Sequence, residues 1–321
     1  MIRPGPTFYP VRWWHKMSER RLAAMMRDSA RTLRRRLDKL LCWKESAALV
    51  VSPMWTPWLD VLPFGLVVYD CIDDLLVHVP DSAKRPMYAR WERDLIARCD
   101  GAAVTTPALR EYVQEQRADV PIAMLRNGVD VEAFRTRGLG AARPGDVPPQ
   151  GKPIVGFVGA LYEWVDFELI CRIADRLGDH QFVFVGPYNS GNQINAVRAR
   201  KNVAILGTKP HEQVPAYVNA FDACWVPFRS GRIARAANPV KNYEYLALGK
   251  PVVSPPLADA DSFEGLVRIG HTDDEIVALL CQAAANPCRD ADARVAFARK
   301  NAWDQRARAY VRFVDSLKDH K

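Results

Sequence analysis

The chain has 321 residues, 49% hydrophobic and 26% charged, with a net charge of +8 at pH 7. That balance fits a soluble, globular protein with room for two domains. It excludes a membrane-spanning chain, because no apolar run approaches the ~20 residues a bilayer requires. Residues 1–46 hold twelve Lys/Arg against four Asp/Glu, so they carry the whole excess charge. One local basic face is expected, not the general basicity of a nucleic-acid binder. Seven scattered cysteines with no CxxC read as reduced thiols of a cytoplasmic protein, and no Cys/His spacing suggests a metal. Met1 leads into Pro4, Gly5 and Pro6, which is not a secretory leader.

Between Met17 and Leu41, Leu22, Met26, Leu33, Leu37 and Leu40 or Leu41 recur at helical spacing among seven arginines. This is a basic amphipathic helix. Two readings stay open: attachment to an anionic membrane surface, or packing on its own sheet with a solvated basic back. Ala48–Val51 reads as a buried strand, with Pro53–Trp58 as the loop after it. A second strand, Leu66–Tyr69, ends in Asp70-Cys71-Ile72-Asp73-Asp74. In open α/β sheets ligands bind beyond the carboxyl ends of strands. These carboxylates could bind substrate hydroxyls, accept a proton, or cap the next helix. Substrate binding is favoured, with Asp73 the first choice.

A helix holding Trp91, Leu95 and Ile96 follows, then a strand at Ala102–Thr105, a helix opened by Thr106-Pro107, and a strand at Ile122–Leu125. Asn127-Gly128 predicts a tight turn. Residues 136–153, with four glycines and four prolines, read as a linker. The pattern then restarts at Ile154–Gly159, a buried strand whose glycine lets a ligand approach the backbone; the helix after it is read as opening at Tyr162-Glu163-Trp164. Strands are expected at 182–185, 203–206, 222–226 and 251–254. Helices are expected at 166–177, 191–199, 212–220 and 240–248. Such βα repeats mean a parallel sheet wrapped by helices. Asn301-Ala302-Trp303 begins a last amphipathic helix, to Leu317. Within 238–254, Lys241 and Glu244 share one helical face near the helix start. There they can meet phosphates and sugar hydroxyls, or form a plain surface ion pair.

Taken together, these pieces resemble the GT-B glycosyltransferases, specifically glycosyltransferase family 4 enzymes of bacterial polysaccharide or teichuronic-acid-type assembly. The resemblance rests on Val68–Asp74, Leu125–Asp130 with Phe134, Gly156–Ala160 with Trp164, Val185-Gly186-Pro187, and Asn202-Val203 with Leu206-Gly207. Pro215-Ala216-Tyr217, Val226-Pro227-Phe228 and 238–254 complete it. It implies an α/β chain of two Rossmann-like domains: an acceptor-side domain at 1–135, the linker at 136–153, and a donor-binding domain at 154–300. The helix at 301–321 would pack back across the domains.

The resemblance also implies a sugar-nucleotide transferase that retains anomeric configuration, with no cofactor and no metal. Its substrate would be a nucleotide-diphosphate sugar and its acceptor a glycan or lipid-linked sugar. A cytoplasmic enzyme is expected; peripheral contact with the inner face of the cell membrane is a separate expectation, which rests on the membrane reading of the basic helix at 17–41. Glu244 matches the glutamate on the ribose hydroxyls. Lys241 would meet the diphosphate, with Arg229 or Arg232 as second cations, and Gly159 and Ala160 would offer backbone. Thr208 and Lys209 would lie beside the nucleobase. Asp70 and Asp73 would serve the reaction, and Asp74 the acceptor.

Three departures stand out. Ala236 occupies the place of the family's second acid, eight residues before Glu244. Glu163-Trp164-Val165 replaces a lysine common in relatives. No first strand with a glycine-rich loop precedes the Arg-rich helix, as if the N-terminal domain lacked it. A non-catalytic sugar-nucleotide binder or partner subunit, and a sugar-nucleotide epimerase, are the alternative readings.

Overall fold

The computed structural model describes residues 17–76, 79, 82–257 and 259–319, and the side chains of Ser82, Arg232 and Ile233 are not among what it describes. The chain divides into two compact units, one of residues 1–125 with 309–321, the other of 126–308.

The first unit opens with α1 (Glu19–Leu37), followed by β1 (Ala47–Val50) and a 3-10 helical segment, Pro53–Asp60. Next come β2 (Leu66–Cys71), α2 (Arg85–Arg98), β3 (Gly101–Val104), α3 (Pro107–Gln116) and β4 (Ile122–Met124). The four strands pair in parallel in the order β1-β2-β3-β4. Parallel strands need crossover helices on their faces, which explains why β3 is buried along its whole length. The last helix, α12 (Trp303–Lys318), sends Leu317 into a cluster with Leu66 and Val68. Gly101 makes room for it: a Cβ there would lie 2.6 Å from Leu317 Cδ1.

The apolar stripe of α1 is spent within this unit. Leu22 and Met26 pack with Met54, Met87 and Trp91, while Arg20, Arg21, Arg31, Arg34, Arg35 and Arg36 remain exposed. Ser52 caps the segment after β1, its hydroxyl accepting from Met54 N–H at 3.4 Å, so 53–60 is helical where a loop was expected.

The second unit holds α4 (Val131–Gly138), β5 (Ile154–Val158), α5 (Phe167–Arg176), β6 (Gln181–Val185), α6 (Asn192–Arg198), β7 (Val203–Ile205) and α7 (Val214–Asn219). It continues with β8 (Ala223–Trp225), α8 (Arg232–Ala236), α9 (Val240–Ala247), β9 (Val252–Ser254), β10 (Val267–Ile269), α10 (Asp273–Ala285) and α11 (Ala291–Lys300). The six-stranded parallel sheet runs β10-β9-β8-β5-β6-β7. That is the doubly wound order, with the chain reversing direction across the sheet between β5 and β8. In such sheets the crevice outside the carboxyl ends of the two switch strands is where ligands bind.

Several local expectations change. Residues 127–128 form no turn and Gly128 has no positive φ. The Asn127 amide instead donates to Asn238 O at 2.6 Å, and a Cβ on Gly128 would lie 2.7 Å from Asn301 O. This glycine serves close packing. The helix after β5 starts at Phe167, because Asp166 caps it by accepting from Leu169 N–H at 2.9 Å. The break between units falls between Leu125 and Arg126, ahead of the 136–153 segment. Phe134 and Val147 belong to the second unit's core, and Arg126 is bonded to its Asp259. β10, α10 and α11 were not anticipated. The stretch ahead of the Arg-rich helix, where the sequence shows no evident first strand, lies outside the described residues.

Candidate functional site

The switch point of the second sheet gathers the charged residues of α9. Lys241 and Glu244 stand on its first turns, and that end of the helix meets the carboxyl ends of β5 and β8. The Lys241 ammonium lies 4.8 Å from the Phe228 ring centroid and 5.5 Å from that of Phe157. Two aromatic faces therefore hold a cation without neutralising it. Gly159 gives the lysine passage: a Cβ there would meet Lys241 Cε at 3.0 Å and Phe157 Cζ at 2.8 Å.

Among the described residues, neither Lys241 nor Glu244 makes a hydrogen bond or a salt bridge. They feel each other's charge without touching. Burial lowers the Lys241 ammonium to about 8, with Glu244 pulling the other way. Burial likewise raises the Glu244 carboxyl, opposed by Lys241 and His211. Two half-buried charges without partners among the described residues are costly unless something else completes them. The surface ion pair, one reading of this spacing, is not what forms.

The start of α9 is pinned from behind. Asn238 Oδ1 accepts from Asn127 N–H at 3.0 Å and from the Tyr243 hydroxyl at 3.1 Å, while Asn238 Nδ2 donates to Asp259 Oδ2 at 2.9 Å. Arg126 grips Asp259 with two parallel bonds, 2.8 and 2.9 Å. Tyr245, one residue beyond Glu244, receives Val158 N–H on its hydroxyl at 2.8 Å and so ties α9 to the end of β5. Sequence reasoning missed how this set connects: its members lie up to 133 residues apart, and although Arg126, Asn127, Asn238, Tyr243 and Tyr245 fell within singled-out motifs, Asp259, which joins them, did not. Asn242, beside Lys241, is fully buried, and neither of its amide atoms finds a partner among the described residues.

The other expected donor residues distribute unevenly. Gly159 and Ala160 lie just after β5. Gly159 N–H is used by Val185 O at 2.8 Å and Leu161 N–H by Pro187 O at 2.8 Å, whereas Ala160 N–H donates to none of the described residues. Gly186 lets the two loops close up, since a Cβ there would sit 2.1 Å from Gly159 O. Arg229 follows β8 with Nε on Val165 O at 3.2 Å, and the rest of its guanidinium bonds none of the described residues. Arg232 opens α8, and its side chain lies outside the described residues. Thr208 is exposed at the end of β7, two strands from β5. Lys209 is committed to Asp146, which also accepts from the Tyr217 hydroxyl at 2.8 Å.

In the first unit, Asp70 closes β2. Burial raises its carboxyl to about 6, and it makes no hydrogen bond among the described residues. Tyr310 faces it, its phenol pushed up by burial and by the Asp70 charge. Asp73 accepts from Asp74 N–H at 2.8 Å, so the acidic run folds on itself. None of the three caps α2, whose N-cap is Lys84. Beneath the run, Glu92 is 2% exposed and accepts from the Tyr69 and Tyr112 hydroxyls at 2.5 and 2.8 Å. That buried carboxylate carried no sequence motif. Among the described residues no group of His, Cys, Asp and Glu is arranged to hold a metal ion, and no helix is long and apolar enough to cross a membrane.

Comparison with known proteins bears on the fold and the family. The family profile for glycosyl transferases group 1 matches residues 152–286, most of the second unit. Over 212 residues the chain is 26% identical to TuaH of Bacillus subtilis (strain 168), a glycosyltransferase named for teichuronic acid biosynthesis; the match covers 62% of this chain and 52% of TuaH. It is 26% identical over 245 residues to D-inositol 3-phosphate glycosyltransferase of Mycobacterium leprae (strain Br4923), covering 70% of this chain and 56% of that one. The chain thus spans about half the length of these curated relatives.

Among solved structures, sucrose-phosphate synthase of Thermosynechococcus elongatus superposes with a TM-score of 0.70 at 14% identity, over 95% of this chain and 81% of that one. HepE of Anabaena, solved with UDP and glucose, gives 0.68 at 15% identity, over 94% and 83%. At these identities the likeness is one of fold: two Rossmann-like domains of the GT-B type.

Proposed function

We propose that this chain, whose residues 152–286 form a glycosyl transferases group 1 domain, moves a hexose-type sugar from a nucleotide-diphosphate donor to a glycan or lipid-linked acceptor. The observation that carries the reading is the unpartnered Lys241–Glu244 pair at the switch point of the second sheet. A donor supplies what both lack: ribose hydroxyls to donate to the Glu244 carboxylate, and a diphosphate to accept from the Lys241 ammonium. Ala160 N–H and the Arg229 guanidinium, which spends only Nε among the described residues, add donors at the carboxyl ends of β5 and β8. As the sugar–phosphate bond breaks, negative charge grows on the departing diphosphate. A cation fixed there stabilises that charge more than it stabilises the ground state. This supports transfer without a metal, and the transfer is proposed to retain configuration. Asp70, partly protonated near neutral pH, and Asp73 would take acceptor-side roles, with Asp74 binding the acceptor.

The exposed arginines of α1 support a peripheral contact with anionic membrane. Because the helix's apolar stripe is buried in its own unit, that contact would be electrostatic and sensitive to salt.

The test is a transfer assay with UDP-, GDP- and dTDP-sugars and a lipid-linked acceptor mixture, the product anomer read by NMR. Donor consumption only when acceptor is present is the expected result. Isomerisation of the free donor would point to an epimerase, and donor binding without turnover to a non-catalytic partner subunit.

A further inference from the structure

The opposite end of the second sheet carries a second concentration of positive charge. A cavity of about 100 Å³ opens where β9 begins, at Pro251, and is lined by Arg268 of β10, Gln282 and Asn286 near the end of α10, Arg289, and Arg294 of α11. At ~30 Å³ per water it holds about three waters, the size class of one tetrahedral oxyanion. Arg294 is 4% exposed, yet it forms no salt bridge among the described residues. Its Nη1 donates to Gly249 O at 2.7 Å and Pro287 O at 3.1 Å. Those are its only side-chain bonds among the described residues, so Nε–H and Nη2–H remain to donate. Burial and the Arg268 charge both work against the cation, with Asp290 the principal carboxylate helping it. Asp290 is exposed and 3.8 Å from Arg289. Lys250, next to Pro251, is spent on the carbonyls of Asn219 and Phe221, both at 2.8 Å. The pocket therefore holds three guanidinium groups against one outlying carboxylate.

We propose that this cavity is a binding site for a phosphate-class oxyanion, separate from the donor site. Arg294 supplies a buried fork of N–H donors, Arg268 and Arg289 close over the anion from the rim, and the amides of Gln282 and Asn286 fill the remaining acceptor positions. The site is coupled to the donor helix by position. Arg294 braces Gly249, at the end of α9, and Lys241 and Glu244 stand on the first turns of that eight-residue helix, about 12 Å away at 1.5 Å per residue. An anion drawing on Arg294 thus holds the far end of the helix that carries the donor contacts.

The experiment is thermal unfolding of the full chain with inorganic phosphate replacing chloride at constant ionic strength, repeated with a hexose phosphomonoester. It compares wild type, Arg268→Gln with Arg289→Gln, and Lys241→Met. The rim arginines are partly or fully exposed, so their removal leaves the core intact, and unchanged far-UV dichroism checks this. A rise in Tm of about 2–4 °C at tenfold excess over the dissociation constant is expected in wild type and Lys241→Met, and no rise in the double variant. A larger rise with the phosphomonoester identifies a sugar phosphate as the ligand; a rise with inorganic phosphate alone identifies the free ion. An equal rise in the double variant, its loss in Lys241→Met, or no rise in wild type would overturn the proposal. Loss in Lys241→Met would mean that phosphate occupies the donor site instead.

Discussion

The carboxyl ends of the two sheets present charge in opposite ways. In the second unit a lysine and a glutamate are half-buried and without partners among the described residues, on a helix whose start is locked by Asn238, Asp259 and Arg126. In the first unit Asp70 is also unpartnered, but its neighbours Asp73 and Asp74 fold on each other, above a carboxylate satisfied by two tyrosines. Burying a charge costs free energy everywhere. Where both signs are half-buried together and held from behind, as on α9, the arrangement suits a ligand carrying both hydroxyls and negative charge. Where one acid is buried alone, burial shifts its proton toward neutral pH and makes it fit for acid–base work. The lesson is that the support behind a charge, as much as the charge itself, marks a prepared site.

The largest effect should come from the support. Asp259→Ala leaves Arg126 and Asn238 without their shared acceptor and should cost about 3–5 kcal/mol, read as a drop in the urea midpoint. Loss of less than about 1 kcal/mol would mean that the network does not hold α9.

Asp70→Asn should act in the other direction. The folded pKa of Asp70 is raised to about 6 from 3.8, so between these values the folded protein holds a proton that the unfolded chain has lost. Stability therefore falls as pH rises through that window. The variant should recover about 1–3 kcal/mol at neutral pH and nothing at pH 3. Equal stability of the two proteins at pH 7 would remove the buried-acid account.

Asn242→Leu removes an amide that is fully buried and unbonded among the described residues. Stabilisation of about 1–2 kcal/mol is expected, with donor binding unchanged. A destabilised variant would mean that the amide finds a partner in solution.

The sequence made the sheets legible and the supports illegible. β5, β6 and β8 read within a residue or two because parallel strands buried on both faces show as apolar runs with glycine or proline after them. β10 escaped because Val-Arg-Ile at an edge has no such run. α10 could have been found. Thr272 Oγ1 accepts from Glu275 N–H at 3.2 Å while Glu275 accepts from His271 N–H at 2.7 Å, close to the reciprocal capping pattern that Thr272 and Glu275 announce in the sequence. Lys241 and Glu244 were legible because helical spacing alone puts them on one face. Their setting was not: the rings of Phe157 and Phe228, and the bond from Arg126 to Asp259, depend on which strands the fold makes neighbours. The Asn127-Gly128 pair misled for the same reason, since its turn signal is local and its actual partners, Asn238 and Asn301, are distant in the chain.

The central claim is that a half-buried Lys241, unpaired among the described residues, holds the donor's diphosphate. Calorimetric titration of UDP, with GDP as the second probe, into wild type and Lys241→Met between about pH 7 and pH 10 tests it directly. Burial lowers the free lysine to about 8 from 10.5, and a bound diphosphate raises it again. Wild-type affinity should therefore weaken above pH 8, by up to about tenfold per pH unit. The methionine variant should bind weakly at every pH, with no such slope. Wild-type affinity that stays level from pH 8 to pH 10, or a variant that binds as tightly as wild type at pH 7, would contradict the account.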